Sequence, residues 1–263
     1  MMTAAVCMMT PIISPAVALA SGDHSSGHES VFLVHGLGRT ARSMQGLERE
    51  LAKVGYEVHN LNLPSRRESV EDLADRVSEA VSLSTGPKDR VSFVTHSLGG
   101  IVVRCYLSRK PKVSVGRIVM LAPPNGGSEL ADLLNEIPVM RNIAGPTRRE
   151  LGTSSSLTRL GPADFELGII AGTRSLNPFS HWLIPGPNDG VVSVESAKLQ
   201  GMADFIMVRR CHSFIMNAPE VIAQTRWFLK TGAFQHEDRT PIRLPAPPRG
   251  HRTVRLGRGL GTS

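Results

Sequence analysis

Val91-Ser92-Phe93-Val94-Thr95-His96-Ser97-Leu98-Gly99-Gly100 carries an apolar run straight into a serine, and the chain continues as IVVRCYLSRK, which reads as a helix. A short β-branched and aromatic run bounded by turn signals is the pattern of a buried strand. Serine between a strand and a helix is the layout of a nucleophile elbow, in which the hydroxyl stands at the carboxyl edge of a sheet. Such a turn has no room for bulk, which accounts for Thr95 two residues before the serine and Gly99 two residues after it. Thr95 stands where the commonest pattern has glycine. The helix begins at the serine, so its free N–H groups face any anion that forms there. The plainer reading is an S-x-G-G turn with no chemistry, and this motif alone does not separate the two.

A second run, Val31-Phe32-Leu33-Val34, leads into His35-Gly36-Leu37-Gly38. A strand ending in H-G supplies the other half of an oxyanion hole: glycine allows the tight turn, and the following amide, that of Leu37, turns inward. The expected donors are therefore the amides of Leu37 and Leu98, with His35, Gly36, His96 and Gly99 as supporting positions. Gly36-Leu37-Gly38-Arg39-Thr40-Ala41 also fits the dinucleotide fingerprint G-x-G-x-x-G/A. That alternative needs an acid near the end of the next strand, and Asn60-Leu61-Asn62-Leu63-Pro64 offers none.

A serine nucleophile needs a base, and the base needs an orienting acid. Of nine histidines, His24, His28, His236 and His251 fall in polar or low-complexity ends. His59 falls in a strand, His35 and His96 in the two motifs, and His181 in a loop. His212 follows the strand-like Asp204-Phe205-Ile206-Met207-Val208 and precedes a final amphipathic segment, PEVIAQTRWFLK, where a base on the last loop belongs. Asp189, in the Pro/Gly-rich stretch Pro185-Gly186-Pro187-Asn188-Asp189-Gly190, is the expected acid. Glu195 and Asp164 are the alternatives.

With these pieces in place, VFLVHGLG, FVTHSLGGIVVR, LAPPNGGSELAD, PGPNDGVVSVESAKL and the His212 segment resemble bacterial lipase- and esterase-like members of the α/β-hydrolase superfamily. The resemblance covers roughly 30–234. It implies a Ser97-Asp189-His212 triad, Leu37 and Leu98 as oxyanion donors, and hydrolysis of carboxylic esters through an acyl-enzyme. An acyltransferase or thioesterase would use the same triad. A non-catalytic binding module on the same fold is the alternative from another class.

Outward from the motifs, six strand-like runs alternate with helical ones. The expected fold is α/β: a mainly parallel sheet of about six strands with helices on both faces. Ser69 followed by acids at Glu71 and Asp72 marks a helix start. The stretch from about 124 to 165 interrupts the alternation at the usual cap position. Leu130, Leu133, Leu134 and Ile137, at helical spacing, are candidates to line a substrate cleft, or else face the core. A short insertion with modest apolar residues points to a short-to-medium acyl chain.

The ends differ from this core. Residues 1–20 carry no charge and finish Ala18-Leu19-Ala20-Ser21, like a signal sequence with an A-x-A cleavage site. The absence of a basic start and the presence of Pro11 and Pro15 argue the other way. Export, to the periplasm or outside the cell, is the expectation, with 1–29 as leader. The chain has a formal net charge of +7. The tail at 235–263 holds six arginines against Glu237 and Asp238; it is Pro/Arg/Gly-rich and is expected not to fold. Stacking aromatics are absent from it, so nucleic acid is not an expected partner, whereas peripheral contact with anionic lipid is compatible with it. No Cys/His cluster has metal-ligand spacing, and neither cofactor nor metal is expected. The expected partner is a small ester or lipid-like molecule. Cys105 and Cys211 are read as two separate thiols, with a bridge as the alternative in an oxidising compartment.

Overall fold

The computed structural model describes residues 29–127, 160–176 and 180–236. The leader, the cleft candidates Leu130, Leu133, Leu134 and Ile137, and the tail from 237 lie outside these residues. The described elements are β1 (Glu29–Val34), a 3-10 turn (Ala41–Met44) leading into α1 (Gln45–Ala52), β2 (Glu57–Leu61), α2 (Val70–Ser84), β3 (Arg90–His96), α3 (Leu98–Ser108), β4 (Ser114–Leu121), β5 (Leu167–Gly172), the short α4 (Ser180–Leu183) and α5 (Val194–Ala197), β6 (Asp204–Val208), a second 3-10 turn (Ile215–Asn217) and α6 (Pro219–Thr231).

The six strands form one sheet in the order β2-β1-β3-β4-β5-β6, and every pairing is parallel. Parallel strands need crossovers, and crossover helices cover both faces, so inner strands are apolar throughout instead of alternating. This is why β1 and β5 read as VFLV and LGIIAG: Val31 through Val34 and all of β5 are buried. The edge strands β2 and β6 are only partly buried, and their sequences admit His59, Asn60 and Asp204 accordingly.

Two apolar cores result. On one face, Phe32, Val34, Phe93 and Met120 pack against Val70, Leu73, Ala74, Val77 and Val81 of α2 and against α3. On the other, Val31, Leu33, Val119 and Ile170 pack against Leu47 and Leu51 of α1 and Val221, Phe228 and Leu229 of α6. The buried positions of α2 recur every three or four residues, as one helical face requires. Each fully buried side chain of this size contributes about 1.5–3 kcal/mol. The start of α2 is fixed by a capping box: Ser69 Oγ accepts from the Asp72 amide, and the Asp72 carboxylate accepts from the Ser69 amide. At the other end of the fold, α6 starts with Pro219 in its first turn and stops at Gly232, left-handed at φ 83°.

The strand order creates a switch point. The chain passes from β1 outward to β2, then returns to the other side of β1 to form β3. The loops leaving the carboxyl ends of β1 and β3 therefore diverge and open a crevice between them, the usual binding place in open α/β sheets. Both motifs of the sequence, His35-Gly36-Leu37-Gly38 and Thr95-His96-Ser97-Leu98-Gly99, lie at that crevice.

Candidate active site

Ser97 occupies the junction of β3 and α3 with φ 52° and ψ −122°. A non-glycine residue at positive φ costs on the order of 1–3 kcal/mol and persists only where its surroundings impose it. Those surroundings are visible. The Ser97 amide donates to Leu121 O at 2.9 Å, and Ser97 O accepts from the Gly100 amide at 2.9 Å. A Cβ on Gly99 would lie 2.3 Å from the carbonyl oxygen of Val34, so only glycine lets α3 approach the end of β1. A Cβ on Gly36 would lie 2.8 Å from His96 Nδ1 and 3.2 Å from Ser97 Cβ. The small residues of both motifs are thus set by contact between the two loops.

The expected nucleophile, base and acid come together. His212 Nε2 is 2.9 Å from Ser97 Oγ, and His212 Nδ1 is 2.8 Å from Asp189 Oδ2. Ser97, His212 and Asp189 are all buried. The other oxygen of Asp189, Oδ1, accepts from the amides of Val191 and Val192 at 3.0 and 2.8 Å, which fixes the carboxylate. The Asp189 carbonyl accepts from the His212 amide at 3.1 Å, joining the two loops by backbone as well. Asn188 braces the acid's loop, donating to the carbonyls of Ile184 and Gly186 and accepting from the Gly190 amide. Carboxylates accept only, so Asp189 places the ring proton on Nδ1 and leaves Nε2 to accept from the serine hydroxyl. The alternative acids are elsewhere: Glu195 pairs with Lys198, and Asp164 is exposed.

The supporting histidines are neutral braces. His35 Nδ1 donates to Gly36 O at 2.9 Å while Nε2 accepts from the Leu63 amide at 3.0 Å, a pattern only the neutral ring can make. Burial lowers its pKa, against the opposing effect of the Gly36 bond. His96 Nε2 donates to the backbone carbonyl of His212 at 3.0 Å, and the two rings lie 5.0 Å apart between centroids. Burial first, and His212 second, hold His96 well below the ordinary histidine value. The amides of Leu37 and Leu98 have no hydrogen-bond partner among the described residues. Leu98 is the first residue of α3 and lacks an intrahelical acceptor for the usual reason.

Other features escaped the sequence reading. Arg104 lies inside the apolar run of α3 and is buried, donating to Asn125 O and Oδ1 and to Gly161 O. Burial lowers its pKa to about 10. Asn125 in turn donates to Ala197 O at 2.9 Å. A lone charge in an apolar helix gives no sign of its direction, and this one turns inward because backbone and amide oxygens meet it there. Cys105, buried, and Cys211, partly so, are the two separate thiols expected from the sequence. Burial raises the Cys105 pKa.

The fold agrees with what the chain is similar to. The model of the Alpha/beta hydrolase family matches residues 31–256. No curated protein sequence matches the chain. Among solved structures, the mature form of the lipase BlEst2 from Bacillus licheniformis aligns with a TM-score of 0.62 at 18% identity, over 84% of this chain and 96% of that one. A metagenomic carboxyl esterase, MGS0156, aligns at 0.52 and 20% identity over 72% and 65%. The phospholipase PlaB from Legionella pneumophila aligns at 0.52 and 22% identity over 65% and 45%. At such identities the likeness carries the fold alone, whereas the family model spans most of the chain: this protein belongs to the alpha/beta hydrolase family.

Proposed function

We propose that the protein hydrolyses carboxylic esters through an acyl-enzyme, with Ser97 as nucleophile, His212 as general base and Asp189 as the acid that orients it. The observation carrying this reading is the buried line of hydrogen bonds, 2.9 Å from Ser97 Oγ to His212 Nε2 and 2.8 Å from Nδ1 to Asp189. His212 takes the hydroxyl proton as Ser97 Oγ bonds to the ester carbonyl carbon. The carbonyl electron pair moves onto oxygen, held by the amides of Leu37 and Leu98. In comparable sites one such donor is worth roughly 3–4 kcal/mol. The imidazolium returns its proton to the leaving alkoxide, and the alcohol departs. Water, deprotonated by His212, then attacks the acyl-enzyme and releases the acid. Asp189 stays ionised and holds the ring in one tautomer throughout.

The lipase and esterase neighbours support an ester substrate, and a short-to-medium acyl chain is part of the proposal. The decisive measurement is hydrolysis of a 4-nitrophenyl acyl ester series by wild type and Ser97→Ala, with fluorophosphonate labelling of both. Loss of turnover and label in the variant is expected. Equal turnover by the two proteins overturns the mechanism. Absence of label on folded wild type supports a binding module instead. Competition among water, alcohol and thiol acceptors separates a hydrolase from an acyltransferase.

A further inference from the structure

An open pocket of about 460 Å³ lies between the loop after β1 and the loop after β2, and three arginines, Arg39, Arg66 and Arg67, line it. None of its nine lining residues is acidic. Among the described residues none of the three arginines has a carboxylate partner, unlike Arg76, Arg109 and Arg210, which face Glu68, Asp75 and Glu220. Three like charges around one pocket repel each other, so each adds to the attraction for an anion placed among them.

The pocket is built from the same backbone as the site. The Gly38 amide, one residue past Leu37, donates to Ser65 Oγ at 2.9 Å, and the Ala41 amide donates to Asn62 Oδ1 at 3.3 Å. These bonds stitch its two walls together. The Arg66 guanidinium lies over Gly38, where a Cβ would come within 2.6 Å of its Nε. Arg39 reaches across to donate to Ser213 O at 3.3 Å, beside His212. Gly36, which touches the Ser97 position, belongs to the same loop. A group bound among the arginines would therefore adjoin the loop that carries Gly36 and Leu37, and one of its arginines, Arg39, reaches the loop of His212.

We propose that this pocket is an anion subsite, and that the favoured substrate is an ester carrying a carboxylate or phosphate group as well as the scissile bond. The planar guanidinium fork suits either group, since both offer paired oxygens. The proposal rests on the ester-hydrolase reading for its chemistry, but not for its binding. Thr40 and the amide NH₂ of Asn62 supply further polar edge, while Asn62 Oδ1 and Ser65 Oγ are occupied in holding the walls.

The test uses two matched ester pairs and the full-length protein. 4-Nitrophenyl hemiglutarate against 4-nitrophenyl valerate puts the charge on the acyl side. Monobutyryl glycerol phosphate against monobutyryl glycerol puts it on the alcohol side. Wild type should favour the anionic member of at least one pair by tenfold or more in kcat/KM, and the pair that responds shows which side binds. Arg67→Gln and Arg66→Gln should each cut that preference ratio at least fivefold, mainly through KM, with Arg66→Lys recovering part of it. No preference in either pair, or variants that lower both members alike, overturns the subsite. A failure of the hydrolase reading looks different: wild type then turns over no ester. In that case calorimetric titration of Ser97→Ala with monobutyryl glycerol phosphate decides the subsite alone. Binding that is lost on adding Arg66→Gln and Arg67→Gln sustains it, and absence of binding ends it.

Discussion

The imidazole of His96 donates, at 3.0 Å, to the backbone carbonyl of His212. The residue before the proposed nucleophile thus holds the loop bearing the proposed base. The distance from Ser97 Oγ to His212 Nε2 depends on this tie as well as on Asp189. His96→Ala leaves the carbonyl of a buried residue without its partner, a loss of about 1–3 kcal/mol in stability. Turnover should fall by about tenfold or more, whereas His96→Gln, whose amide can donate from a similar position, should recover much of it. Equal rates for the two variants would exclude a positioning role.

The same residue shapes the response to acid. His35 and His96 both have pKa values lowered by burial from the ordinary 6.5. The unfolded chain therefore binds more protons than the fold between those lowered values and 6.5. Stability is full above that range and falls as pH drops through it, by up to ~1.4 kcal/mol per pH unit for each histidine. Urea midpoints measured from pH 8 down to pH 5 should decline below about pH 6.5. His96→Gln, which does not titrate, should make that decline shallower; an unchanged slope would remove His96 from the account.

Asp189→Asn isolates the tautomer. The amide oxygen can keep the Val191 and Val192 bonds, which turns its NH₂ toward His212 Nδ1. The ring must then accept at Nδ1 and carry its proton on Nε2, where it can no longer accept from Ser97. We expect kcat to fall by about 10³–10⁴-fold with the circular dichroism spectrum unchanged. A near-wild-type rate would move the acid's role elsewhere.

Ser97→Gly should separate stability from activity. Glycine accepts φ 52° without steric cost, so the unfolding free energy should rise by about 1 kcal/mol relative to Ser97→Ala, with a higher denaturation midpoint, while both variants lose turnover. A lower midpoint for the glycine variant would mean that the elbow stores no strain.

Gly99→Ala tests the opposite case. Its Cβ would meet the Val34 carbonyl oxygen at 2.3 Å, a backbone atom inside a paired strand that cannot swing away. We expect a loss of about 1–3 kcal/mol or more together with most activity. Wild-type stability would show that α3 can slide.

The inner strands were legible because parallel strands buried on both faces leave unbroken apolar runs, the edge strands β2 and β6 by β-branched and aromatic residues among polar ones, and each of the six runs became a strand. The elbow and H-G loops were legible because close backbone approach demands small residues at fixed offsets. The helix after β1 was less so. Its first turn, Ala41–Met44, is 3-10, and α1 starts only at Gln45. The elbow helix, by contrast, starts at Leu98 with Ser97 as its N-cap, as the sequence implied. Features joining distant segments left no local trace. Arg39 and Arg66 share a pocket although 27 residues separate them in the chain, and Arg104 meets oxygens from either side of the cap insertion.

That last contact bears on what the stretch between β4 and β5 can tolerate. Arg104 donates to Asn125 and to Gly161, so one guanidinium ties together two points of the loop region between β4 and β5. Lengthening a loop between fixed ends is inexpensive, about 0.6 kcal/mol for each doubling. Segments of different length and composition can therefore be exchanged between these two posts without disturbing the hydrogen bonds at Ser97. Arg104 thus acts as a clasp across that stretch, and grafts between the two posts that keep Asn125 should be more stable than grafts that replace it.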